Sequence, residues 1–243
     1  MHAHIFALFY EHVSRVPARA TTLEITDQTL LHRIKRVLRL RTGDTLVLFD
    51  TQVHTHAMIT ALSDRALTVT LEERTHNQIL KPKLTVALGL LKPDALHTAI
   101  YALAELGVNV IQLYTSSKAH RTWGGEKELH RLQRVTVAAA EQSKHFATPD
   151  IKEPISLQNL CGQPADIKIM CEPDGTPLLN YLDTQKPLHE KAITLVIGPE
   201  GDLTDDEKKL LHAAHYTPCT LTATVLRSEQ AVTLAAGIIR CMQ

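Results

Sequence analysis

Apolar positions recur along the chain in two rhythms. Up to about residue 80 they come in short runs divided by turns. Segments 6–10, 45–49, 56–60 and 66–71 each read as a strand, with turns at Asp50 to Val53 and at Ser63-Asp64. Short strands joined this way predict a small barrel. One stretch has helical spacing instead. Leu30, Leu31, Ile34, Val37 and Leu38 recur as on one helix, and Thr26 or Asp27 stands where its N-cap belongs. Arg41-Thr42-Gly43-Asp44 then turns the chain into the next strand.

A polar run over 72–83, containing Pro82, marks the boundary, and beyond it strands alternate with helices. Residues 84–91 are an apolar strand. Lys92-Pro93-Asp94 opens a helix with proline in its first turn, and Leu96, Ile100, Leu103 and Leu106 line one face of it up to Gly107. Residues 108–114 are the next strand, so 84–114 is a β-α-β unit and the sheet is predicted to be parallel. A loop with Lys118, His120, Arg121 and Trp123 leads to a long helix over 126–146, stopped by Pro149 and Pro154. A strand at 167–171 ends in Glu172-Pro173-Asp174-Gly175. Thr194, Leu195, Val196 and Ile197 form another, ending in Gly198-Pro199-Glu200-Gly201. Thr204-Asp205-Asp206-Glu207 spells a capping box, so a helix starts there. A final helix over 228–241 carries Ala231, Leu234, Ala235 and Ile238 on a narrow, small-residue face.

Composition narrows the class. No apolar run is long enough for a membrane helix, and the first ten residues lack the basic region and cleavage site of a signal peptide. Cys161, Cys171, Cys219 and Cys241 are scattered without a C-x-x-C pair. That argues against zinc or a disulfide framework and predicts a reduced, cytoplasmic chain with no metal. The formal net charge is zero, so bulk basicity does not announce nucleic acid. The distribution is uneven, however: Arg33, Lys35, Arg36, Arg39 and Arg41 fall together with no acid among them.

Three turns could converge at the carboxyl ends of parallel strands: 172–175, 197–201 and 221–227. None has the G-x-G-x-x-G of a dinucleotide site or the pattern of a P-loop. Backbone groups lining a pocket suit a nucleoside-like ligand, and the residues alone carry the reading no further.

Ile197-Gly198-Pro199-Glu200-Gly201, followed by Val225-Leu226-Arg227-Ser228-Glu229-Gln230-Ala231, resembles the paired signature of SPOUT-class methyltransferases. The match is best with the ribosomal RNA small-subunit methyltransferase E family, which methylates N3 of a uridine in 16S rRNA. Arg36 to Asp44, Lys92 with Ala104 to Val108, and Ala140-Glu141-Gln142-Ser143-Lys144 resemble further motifs of that family in the same order. Asp202 and Thr222 stand where the family usually has glycine. The resemblance implies a PUA-like RNA-binding β-barrel over 1–76. It implies an α/β SPOUT domain over 77–243, tied in a trefoil knot with a mainly parallel sheet. It also implies a homodimer that uses S-adenosyl-L-methionine and acts on the small ribosomal subunit. By the same matching, Glu172, Ile197, Gly198, Pro199, Glu200, Gly201, Leu221, Thr222, Val225, Leu226 and Arg227 surround the cofactor. Arg227 and Glu229 are the catalytic candidates, and Arg33, Arg36, Arg39, Lys92, Gln142 and Lys144 the RNA contacts.

Each assignment has a plainer rival. Arg33 to Arg41 is also what a solvated helix face looks like. Lys92, Gln142 and Lys144 fit ordinary surface positions, and the single Trp123 fits packing as well as base stacking. Two other functions stay open: a SPOUT enzyme for another RNA or a ribose 2′-OH, and a non-catalytic RNA-binding assembly factor.

Overall fold

A computed structural model describes residues 5–17, 19–119 and 121–242; His120 lies outside the described residues. The chain divides into two compact units. The first takes the residues up to Gln78 together with Glu141–Ala147, and the second takes the rest.

The first unit holds β1 (Phe6–Phe9), β2 (Thr22–Ile25), β3 (Thr45–Phe49), β4 (Val53–Leu62), β5 (Leu67–Leu71) and β6 (Thr75–His76) in one sheet. Its order is β1-β3-β4-β5-β2, with β6 paired to β4. β1 and β3 run parallel and the other pairs antiparallel. β4 shows the two-residue alternation of a half-buried strand: Val53, Thr55, Ala57 and Ile59 are buried, while His56, Met58 and Thr60 are exposed. β2 escaped the sequence reading because its alternation, Thr22-Leu23-Glu24-Ile25, spans only four residues and runs straight into the helical pattern that starts after Ile25.

The single helix expected after residue 26 is two pieces. Asp27 caps α1 (Gln28–His32) by accepting the Leu30 N–H at 2.8 Å. Arg33–Val37 then widens into a π-type turn, with the Leu38 N–H bonded to the Arg33 carbonyl five residues back. The extra residue in that turn rotates Val37 off the apolar face, and it is 63% exposed.

The second unit is built on β7 (Lys83–Gly89), β8 (Val110–Thr115), β9 (Asp150–Ser156), β10 (Ile167–Pro177), β11 (Ala192–Ile197) and β12 (Thr217–Thr220), in the order β12-β10-β11-β7-β8-β9. Every neighbouring pair is parallel, as predicted. The two strands missed from sequence, β9 and β12, are the two edges, and each contains a proline. A proline is tolerated there because an edge strand need not donate every ladder hydrogen bond.

Its helices are α2 (Pro93–Glu105), α3 (Glu126–Ser143), α4 (Leu157–Cys161), α5 (Leu178–Thr184), α6 (Asp205–Ala213) and α7 (Ser228–Cys241). α3 stops three residues short of the prediction, where Lys144 takes a left-handed φ of 62°. α7 packs on α2. Its buried face is Ala231, Val232, Ala235, Ala236 and Ile239, so the predicted face was turned too far: Leu234 is 37% exposed. The end of α7 is anchored by Arg240, whose guanidinium donates to the carbonyls of Pro82, Leu106 and Gly107 and to Asn109 Oδ1. Burial without a carboxylate partner pulls this arginine down to about 10.

Candidate functional site

The carboxyl ends of β7, β11, β10 and β12 come together at one edge of the parallel sheet. A crevice is expected there because the strands' last backbone groups lose their ladder partners. A cleft of about 1750 Å³ occupies it.

Three loops build its wall. After β11, Ile197, Gly198, Pro199 and Glu200 line the cleft, and Gly201 does not. The corner is fixed from three sides. The buried Tyr114 hydroxyl donates to the Ile197 carbonyl at 3.0 Å. The Lys92 N–H donates to Glu200 Oε1 at 2.9 Å, so Glu200 closes the start of α2. Pro199 lies so close to β7 that a Cβ on Gly89 would come within 2.8 Å of its nitrogen. α6 then leaves under the predicted capping box: Thr204 Oγ1 accepts the Glu207 N–H, and the Glu207 carboxylate accepts the Thr204 N–H. Glu207 Oε1 also takes the Ser117 N–H at 2.7 Å. Burial acts against its charge, but these bonds from Thr204 and Ser117 hold it below the usual carboxylate range.

The second loop is a bulge inside β10. Both Cys171 and Thr176 pair with Cys219, so Glu172 to Gly175 is looped out toward the cleft. The bulge folds onto β12 so tightly that a Cβ on Gly175 would sit 2.6 Å from the Pro218 carbonyl. Only glycine fits there. Cys171 and Cys219 both line the cleft, and burial raises both thiols, Cys219 to about 11. They are therefore apolar wall rather than nucleophiles.

The third loop follows β12. Leu221, Thr222, Val225, Leu226 and Arg227 line the cleft, with Glu229 in the first turn of α7. Arg227 is the N-cap residue of α7 and is exposed. Ser228 is buried, and its hydroxyl donates to the Gly198 carbonyl at 2.8 Å. This bond joins the two late turns that the sequence had only placed side by side.

The expected RNA residues fall out differently. Lys92 is on the cleft wall. Arg33 does not present an open guanidinium. Its two terminal nitrogens both bond the buried Glu141, whose Oε1 also accepts the Phe9 N–H. The Glu141-Gln142-Ser143 motif therefore has a structural use in the first unit. Gln142 and Lys144 are exposed, and Lys144 Nζ donates to the Glu141 carbonyl. Arg36 and Arg39, with Lys35, Leu40, Arg41 and Leu62, line a separate hollow of about 450 Å³ in the first unit. Lys35 is paired with Asp64. Arg36, Arg39 and Arg41 are exposed and form no hydrogen bond or ion pair through their side chains among the described residues. Trp123 packs on the second unit's core, which favours the plainer reading of it.

Sequence reading missed Tyr114, which looks only like the end of an apolar strand. It also missed Lys208, one residue past the capping box. Among the described residues no helix is long and apolar enough to cross a membrane, and no cluster suits a metal ion.

Residues 78–240 match the model of the RNA methyltransferase domain. The chain is 28% identical over 228 residues to ribosomal RNA small subunit methyltransferase E of Rickettsia conorii, covering 93% of this chain and 92% of that one. It is 30% identical to the protein of the same name from Synechocystis, over 87% of this chain and 71% of the relative. In structure it resembles ribosomal RNA small subunit methyltransferase E of Neisseria gonorrhoeae, solved bound to S-adenosyl methionine. The TM-score is 0.83 at 20% identity, covering 98% of each chain, and at that identity the likeness is one of fold.

Proposed function

Because the chain belongs to the RNA methyltransferase family, and within it to ribosomal RNA small subunit methyltransferase E, we propose that it methylates N3 of one uridine in 16S rRNA. It is an S-adenosylmethionine-dependent RNA methyltransferase. The observation that carries the finer reading is the shared wall. Arg227 and Glu229 face the same cleft as the Gly198-Pro199-Glu200 corner and the Leu221–Leu226 turn.

The cleft fits the cofactor. Ile197, Leu221, Val225 and Leu226 offer apolar surface to a purine, and the loop backbone offers it donors and acceptors. Glu172, on the bulge, is an acceptor suited to ribose hydroxyls. Thr222 adds a hydroxyl to this wall, although it bonds the Thr224 carbonyl at 2.6 Å. When bound, S-adenosylmethionine supplies an electrophilic methyl group on a sulfonium.

The chain's own residues must orient the uracil and manage one proton. The N3–H proton passes to the Glu229 carboxylate as N3 gains the methyl group. Arg227 donates to a uracil oxygen, where negative charge develops as the proton leaves. Its planar fork can hold that oxygen and a neighbouring phosphate together. We assign RNA docking to Arg36 and Arg39, with support from Lys92, Gln142 and Lys144, and not to Arg33. The first unit is read as a PUA-like domain over 1–76, and residues 77–243 as a trefoil-knotted SPOUT domain working in the cytoplasm. A homodimer is inferred from Leu179, Val225 and Leu234, apolar side chains exposed on the rim of the cleft. Sedimentation equilibrium tests it, and a monomer at assay concentration would contradict it.

The test of function is base analysis of 16S rRNA from a deletion strain. Loss of N3-methyluridine at one site, restored by the wild-type chain and not by Glu229→Gln, is the expected result. An unchanged base profile with a lost ribose methyl would instead point to a 2′-OH enzyme. No binding of S-adenosylmethionine in calorimetry would leave an assembly factor.

A further inference from the structure

Asp202 occupies a backbone position that its side chain does not favour. Its φ is 61°, in the left-handed region where a non-glycine residue is uncommon. Such strain persists only where the surroundings hold it. Here the Asp202 N–H bonds the Pro199 carbonyl at 3.0 Å, and Asp202 Oδ2 lies 3.0 Å from Lys208 Nζ. The same ammonium lies 2.8 Å from Glu172 Oε2. Lys208 thus stands on the first turn of α6 and reaches both the corner after β11 and the bulge in β10. Glu172 and Asp202 line the cleft, and Lys208 does not. Without it, two carboxylates at the edge of one pocket would repel each other. Burial opposes each charge. Even so, Lys208 is raised by its bonds to both acids, and Asp202 is lowered by Lys208 and the Leu203 N–H.

We propose that Lys208 is a positioning residue for the methyl donor: it ties the Asp202 corner to the Glu172 bulge and so sets the spacing of two walls of the cleft. One oxygen of Glu172 is held by Lys208, which orients the other for the ligand. This rests on the cofactor reading above. The left-handed Asp202 is tolerated because its side chain reaches Lys208, so aspartate and lysine act together at a position where glycine alone would leave the loops unlinked.

The test compares wild type, Lys208→Met, Lys208→Arg and Asp202→Gly by calorimetry with S-adenosylmethionine, by methylation kinetics and by hydrogen exchange. Lys208→Met should raise Kd and KM for the methyl donor about tenfold while kcat at saturating donor stays within about twofold. Lys208→Arg should restore most of the affinity. Asp202→Gly should weaken binding about two- to threefold, because it loses one tie but relieves the strained φ. A Lys208→Met protein that melts lower yet binds with wild-type Kd overturns the proposal, since that is a purely structural role. If wild type itself does not bind the donor, the cofactor reading fails separately. The tether is then judged by exchange: faster exchange at 172–176 and 198–203 in Lys208→Met supports it, and unchanged exchange sinks it.

Discussion

The cleft of the second unit and the basic hollow of the first treat charge in opposite ways. In the loops that build the cleft, several charged side chains are tied to neighbours: Glu200 to the start of α2, Glu207 to Thr204 and Ser117, and Lys208, behind the wall, to the lining Glu172 and Asp202. At the hollow, Arg36, Arg39 and Arg41 point out with no such ties among the described residues. The difference fits two kinds of recognition. A small ligand held for chemistry needs fixed walls, because a displacement of about 1 Å can cost on the order of a hundredfold in rate. A phosphate backbone needs available cations, because much of its affinity comes from releasing counterions. Arg33 and Arg36 show the contrast over three residues: one guanidinium is folded onto Glu141, and the other is left open.

The comparison would break first at Arg227. It lines the cleft, is exposed and makes no side-chain hydrogen bond or ion pair among the described residues, as expected of a group that would meet the substrate. Arg227→Ala should lower kcat by about a hundred- to a thousandfold, the usual effect of removing a donor to developing negative charge. Single-turnover methylation of small subunits would measure it. A loss confined to KM would reassign Arg227 to binding.

Arg240 sharpens the structural side of the contrast. It is a partly buried cation satisfied by neutral oxygens near the C-terminal end of α7, and it does not line the cleft. Arg240→Met keeps the aliphatic stem and strands three carbonyls. It should destabilise by about 2–4 kcal/mol in denaturant titration, with a lowered midpoint and little change in Kd for the methyl donor.

At the hollow the expectation reverses. Arg36→Ala and Arg39→Ala should leave the melting temperature nearly unchanged, since exposed and unpaired side chains contribute within about 0.5 kcal/mol. Each should weaken RNA binding by roughly tenfold or less and reduce the salt slope by about 1. Fluorescence anisotropy over a salt series would show it. Slopes equal to wild type would make the hollow an ordinary solvated surface.

What could be read from the residues follows the same division. The β-α-β unit over 84–114, the capping box at Thr204 and the final helix were legible, because each depends on neighbours close in sequence. The edge strands β9 and β12 were not, since their prolines and polar residues suit a sheet edge and look like loop in isolation. The three turns of the cleft wall were legible from the residues, and their ligand only through resemblance. The wall's braces, such as Tyr114 to Ile197 and Ser228 to Gly198, join residues 83 and 30 positions apart, and no local pattern encodes them. The ion pair of Arg33 was invisible for the same reason: its partner Glu141 lies 108 residues away. The π-type turn at Arg33–Val37 could not be seen because the apolar spacing up to Ile34 suits an ordinary helix equally well.

The smallest effect expected is in acid, and it too distinguishes the two regions. Asp50, in the first unit, is buried, and its carboxylate accepts the N–H groups of Ser14, Gln52 and Val53. Burial disfavours its charge, but those bonds prevail and hold it below the ordinary value of 3.8. A carboxylate lowered in the folded state adds stability above its unfolded pKa and loses it as pH falls through the folded one. Asp50 should therefore contribute a constant amount from neutral pH down to about 5 and a shrinking amount below about 4. Asp202 and Glu207 in the second unit are lowered as well, and both belong to the loop and helix start that follow β11, where the proposed ligand would bear. Melting curves between pH 7 and 3 should then show acid loss at both regions without ligand. Saturating S-adenosylmethionine should offset it only in the second unit, by the mass-action stabilisation of whatever binds the folded state. Hydrogen exchange on β3 and β4 against α6 would resolve the two. Equal protection of both by the ligand would mean the units do not respond separately, and the contrast would then hold for charge but not for stability.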